Sequence, residues 1–108
     1  MAYGKLGTGV TTANTNLQVY QVPVECVYAD INISVVNPGA SDSAIEVAVA
    51  ANTVPTSDEY IEKGAIIPAL GGTFNHSGVL ASPGERVIVK TVQAGLVVRV
   101  DGKEITKV

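Results

Sequence analysis

At 108 residues the chain makes one domain, long enough for its own core and too short for a catalytic cleft between two large lobes. Hydrophobic residues make up 46% and charged residues only 16%, so Thr, Ser, Asn, Gly and Ala must cover the surface unless other copies hide part of it. A net charge of −3 with no Trp and one Phe disfavours phosphate binding, stacking on single-stranded nucleic acid and aromatic sugar platforms.

The single cysteine, Cys26, allows no intramolecular disulfide. The N-terminus lacks a basic stretch followed by an apolar run, and no apolar run nears the roughly 20 residues of a membrane span. The expectation is a soluble protein made in a cytoplasm, with no membrane or nucleic-acid partner. The sequons at Asn32 and Asn75 then read as chance.

Residues 1–16 hold Gly4, Gly7, Gly9 and a Thr/Asn cluster with one charge, Lys5. They read as an extended N-terminal arm with little drive to fold alone, and Tyr3, Lys5, Leu6 and Val10 are its candidate contacts with a neighbour. Residues 17–108 read as the folded domain. Leu17 and Val19 alternate with Gln18 and Tyr20 in a half-buried strand, which Val22-Pro23 ends.

Residues 26–36 give the clearest strand, with Val27, Ala29, Ile31, Ile33 and Val35 on one face. Asn37-Pro38-Gly39 is a turn, and residues 44–51 return with Ile45, Val47 and Val49 aligned, so an antiparallel pair is expected. Thr56-Ser57-Asp58-Glu59 has the form of a capping box, but Gly64 cuts any helix short. A strand over 60–67 is preferred.

After Pro68-Ala69-Leu70-Gly71-Gly72 comes a weaker strand over 73–80. A Pro-Gly turn at 82–85 leads into residues 86–93, where Val87, Val89 and Thr91 alternate with Arg86, Ile88 and Lys90. Ala94-Gly95 should close a tight hairpin into 96–101. Asp101-Gly102 should turn the chain once more into a last strand over 103–108. About eight strands at this spacing predict an all-β fold: a single antiparallel β-sandwich or jelly-roll-like domain.

Two patterns bear on assembly. The runs 86–93 and 96–101 are apolar on both faces, so Ile88, Val92 and Val97, with Arg99 beside them, are candidates for a subunit contact. The bland alternative is a strand covered on both sides by a loop or by the arm. Charge is also uneven: Glu25, Asp30, Asp42, Glu46, Asp58, Glu59 and Glu62 come with no basic residue among them, and six basic residues follow from Lys63. Cross-strand pairing within the domain would account for this. So would an acidic face of one copy meeting a basic face of the next, in an oligomer that salt dissociates.

Nothing assembles into an active site. His76 is the lone histidine, with no nucleophile elbow or orienting carboxylate patterned around it. Asp58, Glu59 and Glu62 lack metal-ligand spacing, and Cys26 reads as a small buried apolar residue. The arm glycines lack the strand, Lys-Ser/Thr pair and helix of a phosphate loop. No catalytic residue, metal or cofactor is expected.

The run Val19-Tyr20-Gln21-Val22-Pro23, the long strand ending in Val36-Asn37-Pro38-Gly39-Ala40, the dipeptide Tyr60-Ile61, the turn Pro68-Ala69-Leu70-Gly71-Gly72 and the run Leu80-Ala81-Ser82-Pro83-Gly84-Glu85-Arg86-Val87 come in a familiar order. Across residues 17–102 this resembles a small β-sandwich module that recurs in tailed-bacteriophage virions. The resemblance implies a non-enzymatic virion structural protein: a capsid decoration or cement protein that forms a homo-oligomer, such as a trimer, on the major capsid protein. It equally accommodates a neck, baseplate or tail-fibre-base component. A lone module without a large flanking region speaks against a full-length fibre. A carbohydrate-binding attachment module is a further alternative, with Tyr3, Tyr20, Tyr28 and Tyr60 as its available rings.

Overall fold

The computed structural model describes residues 3–106. They form eight strands: β1 (Tyr3–Val10), β2 (Leu17–Gln21), β3 (Cys26–Asn37), β4 (Ser43–Ala50), β5 (Tyr60–Ile67), β6 (Gly72–Ala81), β7 (Arg86–Thr91) and β8 (Val97–Thr106). These build two antiparallel sheets of four, ordered β1-β8-β3-β6 and β2-β7-β4-β5. The pairings β1–β8, β2–β7, β3–β6 and β4–β5 describe one long hairpin with its tip between β4 and β5. That hairpin is rolled until β8 also meets β3 and β7 also meets β4. The order is that of a jelly roll, an all-β sandwich.

Alternation drives the packing. Ile31, Ile33, Val35, Val98 and Val100 of one sheet face Ile45, Val47, Val87 and Val89 of the other, and all are buried. Each such side chain contributes about 1.5–3 kcal/mol of transfer free energy. Cys26 lies in the same core as a free thiol, and burial raises its pKa, with Glu104 and Glu25 adding to the effect.

Three expectations are corrected. First, residues 3–10 are not a detached arm: they are β1, paired with β8 from Tyr3↔Lys103 to Val10↔Val97. The glycines that suggest looseness permit the fit. A Cβ on Gly7 would collide with the Val19 carbonyl oxygen, and one on Gly9 would lie 2.9 Å from Leu17, so glycine lets β1 close against β2. Residues 11–16 are tied down as well. Thr11 exchanges backbone hydrogen bonds with Leu96 and Gly95, and the Asn14 amide donates to the Thr91 carbonyl at 2.8 Å. Leu6 packs on the core and is not free for a neighbour.

Second, β3 and β4, like β7 and β8, lie in different sheets, so their connections cross the sandwich and close no hairpin. Third, Asp101-Gly102 is no turn. β8 runs straight through, because Gly102, at φ 145°, lets β8 approach the Asp30 carbonyl where any side chain would collide. The capping-box sequence makes a turn only: Glu59 accepts from the Thr56 amide at 2.8 Å, and β5 begins at Tyr60.

Candidate interaction surface

Rolling a hairpin sorts its connections by end. The links β1–β2 (11–16), β3–β4 (38–42), β5–β6 (68–71) and β7–β8 (92–96) gather at one end, and β2–β3 (22–25), β4–β5 (51–59) and β6–β7 (82–85) at the other. The first set holds one charged residue, Asp42, whose carboxylate accepts from the Ala69 amide at 2.8 Å. The second set holds Glu25, Asp58, Glu59 and Glu85 and no basic residue. The described domain therefore has a nearly neutral end and an acidic end.

The neutral end exposes large apolar side chains on both outer faces. Val10 and Val97 are register partners, with half-buried Val36 beside them. On the other sheet, exposed Ile66 sits opposite Ala44, whose carbonyl accepts from Val92. At the tip is Leu70, 83% exposed. Its φ is +62°, a left-handed conformation that a branched apolar residue rarely adopts. Hydrogen bonds from the Leu70 and Gly71 amides to the Gly39 and Asn37 carbonyls hold the turn there. Asn37, itself buried, braces it by donating to the Ser41 and Ile67 carbonyls. The acidic end also exposes apolar residues, Val24 and Val54, but sets them among carboxylates.

The sequence-derived contact set divides. Val92 and Val97 are exposed at the neutral end, and Val10 joins them. Ile88 is not available: it is 2% exposed. It does point to the outer face, in register with Ala48 and Gln18, but half-buried Arg86, Lys90 and Tyr60 flank it. The Arg86 guanidinium reaches past Ala50 to the Ala51 carbonyl at 2.6 Å. Exposed Arg99 pairs with Asp101 at 2.5 Å, a surface ion pair. Tyr3 is exposed far from Val10, near the acidic end, and Lys5 lies opposite Asp101. Leu70 carries no hydrophobic periodicity and escaped the sequence reading. Its signal is a leucine in a turn where Asn or Gly is usual.

Charges otherwise oppose one another within the domain. Asp30 faces Lys103, and Glu46 faces both Lys90 and Lys63. Thr56 lowers the Asp58 pKa by hydrogen bonding, and the Thr56 and Ala51 amides lower that of Glu59. A broad open depression of about 530 Å³ lies on the outer face of the β1-β8-β3-β6 sheet. Asp30, Asn32, Lys103 and Tyr3 rim it, and Gly4, Gly78 and Gly102 line it. Among the described residues no group of three or more His, Cys, Asp or Glu side chains could hold a metal.

No family model matches the chain, and neither does any curated protein.

Proposed function

We propose that the protein is a non-enzymatic structural component of a bacteriophage-type virion, a decoration or cement protein that docks its neutral end on the major capsid protein and turns its acidic end to solvent. One observation carries this reading: Leu70 is held exposed in a strained conformation at the tip of a nearly uncharged, apolar end. Strain of this kind costs on the order of 1–2 kcal/mol and gathers where a surface is used. The resemblance to virion modules supports the assignment to a particle, and the jelly-roll order fits it. The same docking would serve a neck, baseplate or fibre base, where the copy number per particle would be small.

The test has two steps. Mass spectrometry of virions from the phage that encodes the chain should find the protein at shell-like copy number. Co-sedimentation with particles stripped of it should then fail for the Val97→Glu, Leu70→Glu double variant and persist for Val54→Glu at the acidic end. Equal binding by the two variants, or absence from the virion, overturns the reading.

A second reading, a carbohydrate-binding attachment module, is favoured by the depression beside the exposed Tyr3 ring. Asp30, Asn32 and Lys103 offer hydrogen-bonding groups there. Glycan binding abolished by Tyr3→Ala would establish it, and a glycan array without hits would dismiss it.

A further inference from the structure

The four sheet edges are protected unequally. β1 carries Lys5, a bulge between Lys5 and Gly7, and β2 packed alongside. β2 has five residues and a bulge of its own. β5 carries Glu62 and Lys63 and is bulged twice against β4. These are the usual devices that stop a sheet edge from pairing with another chain.

β6 lacks them over most of its length. It has ten residues and no charged one, and only β3 pairs with it among the described residues. From Gly72 to His76 its register with Asn37 to Ile33 is unbroken; the irregularity comes later, opposite Asn32. In an antiparallel edge strand, alternate residues turn their N–H and C=O groups away from the sheet. β6 therefore presents a regular, neutral row of unpaired backbone groups.

The side chains match a two-fold. Pairing β6 antiparallel with the β6 of a second copy about Asn75 sets Asn75 against Asn75, where two amides can hydrogen bond. It sets Phe74 of each copy against His76 of the other, and Thr73 against Ser77. Phe74 and His76 already stack within one chain, with centroids 6.4 Å apart and planes at 19°. The two-fold would extend that pair to four rings and cover Phe74, which a single copy leaves half-buried. No like charges meet along this row.

We infer that two copies join through β6, making the β1-β8-β3-β6 sheet continuous across an isologous dimer. This inference goes beyond the proposed function, which names no contact between copies. It is tested on the isolated protein, so it can fail while particle binding holds, and the reverse.

Asn75 is exposed on the outer face, so changing it spares the core. Light scattering should give a mass twice that of the 11.1 kDa chain for the wild type. Asn75→Lys and Asn75→Asp should each raise the dimer dissociation constant severalfold, because the amide pair is lost and like charges then face each other across the axis. An equimolar mixture of the two variants should restore the dimer, since Lys then faces Asp. Circular dichroism of each variant confirms that the fold survives. A wild type that stays monomeric at millimolar concentration, or a dimer indifferent to both substitutions, overturns the inference.

Discussion

Gly7→Ala separates a folded first strand from a loose arm, because only the folded strand predicts a loss of stability. Gly7 does not have a positive φ, so alanine fits its backbone. In a detached arm the substitution would be neutral, because the residue keeps its freedom in both the folded and the unfolded chain. Packed as β1, the new Cβ falls on the Val19 carbonyl oxygen, far inside the 3.0 Å that real Cβ atoms respect, with the Tyr20 Cβ at 3.3 Å behind it. The obstacle is backbone, at a bulge whose flanking residues Gln18 and Tyr20 pair with β7, so no side-chain rotation relieves it. β1 must retreat from β2 and loosen its ladder with β8. Overpacking of this kind costs about 1–3 kcal/mol. Net of the unfolded-state gain, the loss should be about 1–2 kcal/mol, or roughly 5–15 °C in Tm for a domain of this size. Urea unfolding should show a lower midpoint at unchanged slope. Thr8→Ala, exposed on the outer face, is the control and should stay within about 0.5 kcal/mol. A Gly7→Ala protein as stable as the wild type would mean that β1 does not lie on β2.

Three further outcomes are expected. Ile88→Ala should lower stability by about 2–4 kcal/mol in urea unfolding and leave the oligomeric state alone, because the side chain is buried within one copy. Tyr20 donates to the Glu104 carboxylate at 2.6 Å, and burial, then that hydrogen bond, holds its folded pKa above the ordinary tyrosine range. A raised folded pKa contributes stability in full below the unfolded value of about 10 and loses it as pH rises beyond. The wild type should therefore lose more stability than Tyr20→Phe between about pH 9 and 11 by urea midpoint, and parallel curves would sink the assignment. Leu70→Asn should stabilise the fold by about 1 kcal/mol, since Asn tolerates a left-handed φ, while weakening particle binding. Unchanged thermal stability would remove the strain from the account.

The strand positions were readable because β-branched residues alternate with polar ones. β2 and β5 begin and end where the pattern places them, β3 differs by a residue at one end, and β4 and β6 differ by a residue at each end. Val27, expected inside, is exposed because the register shifts between Cys26 and Tyr28 and turns it outward. Partnership was not readable. Alternation says that a strand has an inner face but not which strand lies beside it, so the pairings expected across 37–39 and across 94–95 are crossings between sheets. Glycine misled at both ends of the chain. In β1 it looked like slack and is a close fit against β2. At Gly102 it looked like a turn and is a close pass over Asp30. Both meanings rest on the missing Cβ, and only the neighbouring backbone decides between them. Ile88 was misread because long polar neighbours cover an outward apolar residue, and periodicity does not count them.

Charge gives the last discrimination. Read along the chain, the acidic stretch 25–62 and the later basic residues suggest copies meeting acid to base, a contact that salt weakens. In the folded domain, parity matters instead: odd-numbered connections go to the neutral end and even-numbered ones to the acidic end. Lys63, Lys90 and Lys103 face carboxylates across the ladders at Glu46 and Asp30. A contact through the neutral end involves no charge except Asp42, already engaged by Ala69. Raising ionic strength from about 0.05 M to 0.5 M shortens the screening length severalfold, yet docking on particles should then hold or strengthen, and sulfate should strengthen it further through the apolar surface buried. Co-sedimentation across a salt series measures this. Binding that falls steeply with chloride would place the contact on charged surface and take the neutral end out of the interface.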